Sequence, residues 1–137
     1  MKILHTSDWH LGRTFHRHSL HEWHQRFIDE LIDYATAEKI DVLLISGDVY
    51  DSAHPSAETT ELLGKTLDRL ALAGIQVVLS AVNHDSARRL GYGAGTLARL
   101  GIYPVTTLEE TFEPVELTRD DIRVRIYAIP YLNPRYY

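Results

Sequence analysis

The apolar positions change period several times along the chain, and each change marks an element. Lys2-Ile3-Leu4-His5-Thr6 reads as a short first strand. Asp41-Val42-Leu43-Leu44-Ile45 ends in an unbroken apolar run, the pattern of a parallel strand buried on both faces. Ile75 to Leu79 repeats it as a third strand. Between the first two strands the period lengthens: Leu20, Trp23, Phe27, Leu31 and Tyr34 recur at helical spacing and predict a helix with that face in the core. Ser19 and Glu22 fit a capping box at its start. After a turn at His54-Pro55, Ser56 caps a second predicted helix, which carries Leu63, Leu67 and Leu70 and stops at Gly74. Gly91, Gly93 and Gly95 punctuate the next stretch, before a short helix to Leu100 and a strand near Ile102. Glu113 to Leu117 and Ile122 to Ile129 read as a hairpin. Strands alternating with helices of several turns predict an α/β fold with a parallel sheet and right-handed crossovers. No repeat, linker or low-complexity stretch divides residues 1–137.

Composition narrows the picture further. An apolar content of 45% excludes disorder, and 8 Gly with 5 Pro exclude a collagen-like chain. No apolar run reaches the roughly 18 residues of a membrane helix, and Met1 to Leu4 meets Asp8 too soon for a secretory leader. The absence of cysteine removes disulfides and thiolate metal sites and fits a cytoplasmic protein. A formal charge of −5 gives no global attraction to nucleic acid, so any such contact has to come from a local patch or through a metal. Six of the eight histidines fall within the first 24 residues, and none follows His84.

The residues with chemistry cluster just beyond the first three strands, as Ser7-Asp8-Trp9-His10, Gly47-Asp48-Val49-Tyr50-Asp51 and Asn83-His84-Asp85. Taken singly, an Asp or Asn after a strand is most often a helix cap or turn residue. Three such clusters at three successive strand ends instead point to the crevice where open α/β sheets bind ligands. Oxygen donors mixed with imidazole suit Mn²⁺, Fe²⁺ or Zn²⁺. Asp8 and His10, two apart on an extended segment, share a face and can hold one ion. A second ion nearby needs a bridging carboxylate, for which Asp48 is placed, and Asn83 offers it a neutral carbonyl oxygen. His84 then stands beside the substrate as general acid or as a donor to phosphoryl oxygens.

Asp8-x-His10, Gly47-Asp48-x-x-Asp51 and Asn83-His84-Asp85 resemble the first three motifs of the calcineurin-like metallophosphoesterases. Their flanks, Thr6-Ser7-Asp8-Trp9-His10-Leu11-Gly12, Ile45-Ser46-Gly47-Asp48-Val49-Tyr50-Asp51 and Asn83-His84-Asp85-Ser86, are similar to the SbcD-type nucleases within that superfamily, as is Ile129-Pro130-Tyr131-Leu132. The resemblance implies a metallophosphoesterase fold, an α-β-β-α sandwich, of which residues 1–137 form the amino-terminal part of the nuclease domain. It implies an enzyme with two divalent ions, Mn²⁺ above all, that cuts DNA as exonuclease and endonuclease in repair and recombination. An SbcC-type ATPase is the implied partner, and the full-length protein is implied to be a homodimer. Asp8 and His10 then hold one metal, Asp48 bridges, Asn83 holds the other, and His84 is the catalytic histidine. Asp51 takes a place where some relatives carry a metal-proximal His. Val82 stands where the family has Gly, and the family's later metal-binding histidines have no counterpart within residues 85–137. A half-built metal site, an uncovered sheet face and association of the chain are the expected results.

Other residues carry less. His16-Arg17-His18 with His21 and His24 invites a separate zinc site, but a solvated helix start is the plainer reading. Beside the first motif, Arg13, His16, Arg17 and His18 offer local positive charge to a phosphate backbone. Arg88 and Arg89 are as readily helix surface, and Asp29-Glu30 and Glu109-Glu110 read as solvated faces. Trp23, Phe27 and Tyr34 are expected in the core rather than stacked on bases. A phosphatase or small-molecule phosphodiesterase of the same superfamily competes as an alternative, as does a non-catalytic interaction module. Against the first, Ser52-Ala53 replaces the Arg-Gly of phosphatase-like relatives.

Overall fold

The computed structural model describes residues 1–81 and 90–131. In chain order the elements are β1 (Ile3–Thr6), β2 (Thr14–Phe15), β3 (His18–Ser19), α1 (His21–Ala37), β4 (Val42–Ser46), α2 (Ala57–Leu72), β5 (Gln76–Ser80), α3 (Ala94–Arg99), β6 (Ile102–Val105), a 3₁₀ turn (Glu109–Phe112), β7 (Val115–Arg119) and β8 (Ile122–Ile126). Four strands form one parallel sheet in the order β1-β4-β5-β6. The register sets Thr6 opposite Ile45 and Ser46 opposite Ser80. The carboxyl ends of β1, β4 and β5 are therefore level, and the segments that leave them start from one edge.

Period-2 alternation sorts the strand side chains between two cores. Leu43, Ile45, Val77 and Leu79 join Ile28, Ile32 and Ala35 of α1 and Leu63, Leu67 and Leu70 of α2. On the other face Val42 and Val78 pack with Leu117 of the β7–β8 hairpin, flanked by Leu44, Tyr103, Val115 and Ile126. The second face is thus covered in part by the hairpin, with Leu117 fully buried, so it is not the bare face that the sequence led us to expect. An Arg119–Asp41 ion pair at 3.1 Å ties β7 to the start of β4.

The helix ends follow from local chemistry. At α2, the Ser56 hydroxyl accepts the Thr59 amide at 3.2 Å, as predicted. Its other end is a Schellman closure: Gly74 takes φ +72°, its amide donates to Ala71, and the Ile75 amide donates to Leu70. Helix α1 closes the same way, with Lys39 at φ +54° in the position that glycine favours. Its start differs from expectation: Leu20 is the cap residue, and the Ser19 hydroxyl accepts the His21 amide without a capping box. The buried face of α1 is also one residue out of step with the predicted stripe. His24, Ile28, Ile32 and Ala35 are buried, while Trp23 and Tyr34 are exposed by 63% and 55% and Phe27 by 38%. The small aliphatic row packs against the sheet more closely than the aromatic one. Phe27 meets the buried Trp9 edge-on instead, and Arg26 lies over Trp23.

No helix among the described residues is long and apolar enough to cross a membrane.

Candidate metal centre

The segments that follow β1 and β4 continue side by side beyond the sheet. The Asp8 amide donates to the Gly47 carbonyl, His10 to Asp48, Leu11 to Val49, and Asp51 returns the pattern to Leu11. Leu11 and Tyr50 form a parallel bridge. Trp9, Leu11, Val49 and Tyr50 are all buried beneath these bonds. The polar side chains of the same two segments are consequently turned to one place.

The backbone achieves this by a route that the sequence did not suggest. Asp8, His10 and Asp48 have φ of +58°, +46° and +46°, so the first motif is not an extended segment with two side chains on one face. Left-handed residues that are not glycine cost roughly 1–2 kcal/mol each, least for Asp and Asn, and such strain gathers at functional sites. Here it turns Asp8 and His10 toward Asp48. Their ligand atoms all lie within 4.8 Å of one another, and this is the one group of three or more acidic or imidazole residues among the described residues that could hold a metal ion. A separate zinc cluster of His16, His18, His21 and His24 does not form.

Within the group, His10 Nε2 lies 3.9 Å from Asp8 Oδ1 and 3.8 Å from Asp48 Oδ2. His10 Nδ1, on the far side of the ring, lies 3.0 Å from Asp51 Oδ1. The Asp8 carboxylate also receives the Ser7 hydroxyl. Asp8 is two-thirds exposed and Asp48 one-fifth exposed, so the centre opens to solvent on the Asp8 side. Asp48 Oδ1 is buried with no hydrogen-bond partner among the described residues. A buried carboxylate oxygen left so is costly, and a cation offsets that cost. The donor set, two carboxylates and an imidazole, suits a borderline or hard divalent ion.

His24 is a residue that the sequence reading left out of the site. It is buried, within electrostatic reach of Asp51 and His10, and its pKa lies below the ordinary value. Burial is the main cause; His21 and His10 lower it further, and Asp51 opposes them. Its only signal in the sequence is a place one residue beside the aromatic stripe.

Arg13, His16, Arg17 and His18 are exposed on the hairpin that springs from the first motif. The Arg13 amide donates to His10, and the turn at His16-Arg17 has positive φ at both residues, the geometry of a two-residue hairpin turn. Asn83 and His84, with Val82, Arg88 and Arg89, lie outside the described residues. The backbone reaches Ala81, which donates to Val105 and accepts the amide of Tyr131 at 2.8 Å. The Ile129-Pro130-Tyr131 segment is thereby fastened two residues before Asn83. Glu110, expected as a solvated charge, instead accepts the amides of Thr106 and Thr107.

The calcineurin-like phosphoesterase profile matches residues 1–131. Among curated proteins, the chain is similar to the SbcD component of the SbcCD nuclease of Rhodobacter capsulatus, with 36% identity over 97% of this chain and 36% of that protein. It is likewise similar to the SbcD components from Staphylococcus saprophyticus (36% identity, 96% of this chain and 34% of that protein) and Staphylococcus epidermidis (33% identity over the same shares). The chain spans about a third of the length of the curated relatives it matches.

Proposed function

The chain belongs to the calcineurin-like phosphoesterase family, and on that basis we propose that it carries the metal-holding portion of an SbcD-like nuclease. The observation that carries this reading is the convergence of Asp8, His10 and Asp48, with Asp48 Oδ1 buried and without a hydrogen-bond partner among the described residues. In this reading Asp8 and His10 hold one divalent ion, Asp48 bridges to a second, and Asn83 supplies that second ion with a carbonyl oxygen. Mn²⁺ is the proposed metal. Two such ions supply Lewis acidity toward a phosphodiester and a water acidic enough to attack at neutral pH. His84 gives a proton to the departing oxygen or donates to the phosphoryl group. Arg13, His16, Arg17 and His18, all exposed beside the first motif, draw the DNA backbone toward the centre.

The similarity to the SbcD half of the SbcCD nuclease supports an SbcC-type ATPase as partner, double-stranded DNA ends and hairpins as substrate, and a role in repair and recombination. A homodimer of the full-length protein and a cytoplasmic setting belong to the same proposal. Cleavage of linear duplex and hairpin DNA by the full-length gene product, with and without Mn²⁺, tests it. Mn²⁺-dependent cutting that Asp48→Ala and His84→Ala abolish is the expected result. Hydrolysis of a nitrophenyl phosphodiester with DNA left intact would overturn the nuclease assignment and leave a small-molecule phosphodiesterase in its place.

A further inference from the structure

The β2–β3 hairpin holds an aromatic ring where folding gains little from it. Phe15 is 64% exposed, and among the described residues its ring meets only that of His16, edge-to-face with 4.3 Å between ring centres. A ring so exposed keeps at least one face open to solvent. Trp23 is equally exposed, but it carries the Arg26 guanidinium over its ring, 5.5 Å from the centroid. The charges around Phe15 are of one sign. No acid occurs from Leu11 to Leu20, whereas Arg13 and Arg17 stand two residues to either side of Phe15. Both are exposed, and neither forms an ion pair among the described residues. Backbone bonds fix the hairpin beside the first motif: the Arg13 amide donates to His10, the Leu20 amide donates to Arg13, and Thr14 and Phe15 pair with Ser19 and His18. His16 and Arg17 close the turn at φ +47° and +67°, a conformation that Asn and Gly adopt far more readily. Strain of this kind is kept where function calls for it. Unpaired guanidiniums attract the phosphates of any DNA, but an open ring face is matched by a flat base. Inside a continuous duplex both faces of each base are covered by its neighbours; in loops, single strands and frayed ends they are not.

We propose that Phe15 is a base-stacking site, which receives one unpaired nucleobase on its open face while Arg13 and Arg17 hold the flanking phosphates. The inference rests on the nuclease reading above and adds to it a residue that tells looped or frayed DNA from continuous duplex. Removing a ring on which a base stacks weakens binding by roughly 5- to 150-fold.

The test compares two DNA probes on the full-length gene product, in EDTA so that neither is cut and at one fixed salt concentration. One probe is a DNA hairpin with an unpaired loop; the other is a relaxed, covalently closed circular duplex, which has no end and no loop. The readout is the ratio of the two affinities. Wild type is expected to favour the hairpin, and Phe15→Ala to lower the ratio by roughly 5- to 150-fold. Phe15→Leu, which keeps apolar bulk without a ring, should fall with it, whereas Phe15→Tyr and Phe15→Trp should stay near wild type. Arg13→Ala and Arg17→Ala should weaken both probes alike and flatten the salt dependence, leaving the ratio in place. A ratio in Phe15→Ala within twofold of wild type would overturn the proposal while leaving the nuclease reading standing, and so would a Phe15→Leu ratio equal to that of wild type. A wild-type protein that binds neither probe would overturn the nuclease reading and the stacking site with it.

Discussion

Replacing Asp48 by Asn should change stability in opposite directions with and without metal. Asp8 and Asp48 place carboxylate oxygens within 4.8 Å of each other. At that separation two unit charges repel by about 0.9 kcal/mol in water and about 3.5 kcal/mol at an effective dielectric of about 20. Asp8 is two-thirds exposed, which puts the repulsion in the lower half of that range. Asp48 Oδ1, buried and without a partner among the described residues, adds a cost of the same sign, because a charged oxygen loses more on leaving water than an amide oxygen does. Asn also tolerates the left-handed backbone found at this position. Together these give Asp48→Asn a gain of about 1–3 kcal/mol in the metal-free protein, a rise of roughly 3–10 °C in melting temperature for a chain of this length. With Mn²⁺ at about 1,000 times its dissociation constant, wild type gains about 4.1 kcal/mol that the variant lacks, and the order reverses. Thermal unfolding in EDTA and in Mn²⁺ reads both halves. A variant less stable than wild type in EDTA, or raised equally by Mn²⁺, would refute the electrostatic account of the centre.

Three further expectations follow from local geometry. Gly12 has φ +91°, and a β-carbon there would lie 3.0 Å from the Thr59 hydroxyl, so Gly12→Ala should cost about 1–3 kcal/mol and lower the denaturant midpoint; an unchanged midpoint would show that the first motif does not press on α2. Lys39 occupies the left-handed closing position of α1, so Lys39→Gly should stabilise by about 0.5–1 kcal/mol in chemical denaturation, and a loss would mean that the Lys39 side chain matters more than its backbone. Because the pKa of His24 is lowered below 6.5 in the folded chain, the unfolded chain binds the extra proton first. The stability this confers is complete above pH about 6.5 and is lost as pH falls through the folded value; His24→Gln should flatten that part of a stability–pH profile, and an unaltered slope would exclude His24 as its source.

Most of the sheet was readable because the runs Val42–Ile45 and Ile75–Leu79 admit one interpretation, and Ser56 and Gly74 mark the ends of α2 without ambiguity. Helix α1 was less readable. It carries two apolar stripes one residue apart, and Trp23, Phe27 and Tyr34 weigh more heavily in any hydrophobic pattern than Ile28, Ile32 and Ala35. The choice between them is made by what fits against β4 and β5, a tertiary fact that periodicity does not hold. The approach of Asp8 and His10 to Asp48 was legible from the strand ends, but the left-handed turns that produce it were not, since nothing in Asp-x-His demands positive φ. The contact between His10 and Asp51 was hidden for the same reason: it arises from two segments bonded across roughly 40 positions of sequence.

The backbone bonding between residues 8–11 and 47–51 bears on which changes of length the protein tolerates. Loops ordinarily accept insertions and deletions because no partner counts their residues. These two are counted, bond by bond, as strands are. One residue added between Gly47 and Asp48 would slip Asp48 past His10, even if every side chain were kept. The hairpin that begins four residues after His10 is under no such constraint. Its tip, Phe15 to His18, is exposed and is held by the pairing of β2 with β3 alone among the strands of the described residues. Natural variation in length should therefore concentrate at that tip, beside the centre, where a longer or differently charged hairpin changes what approaches the centre while leaving its ligand geometry as it is.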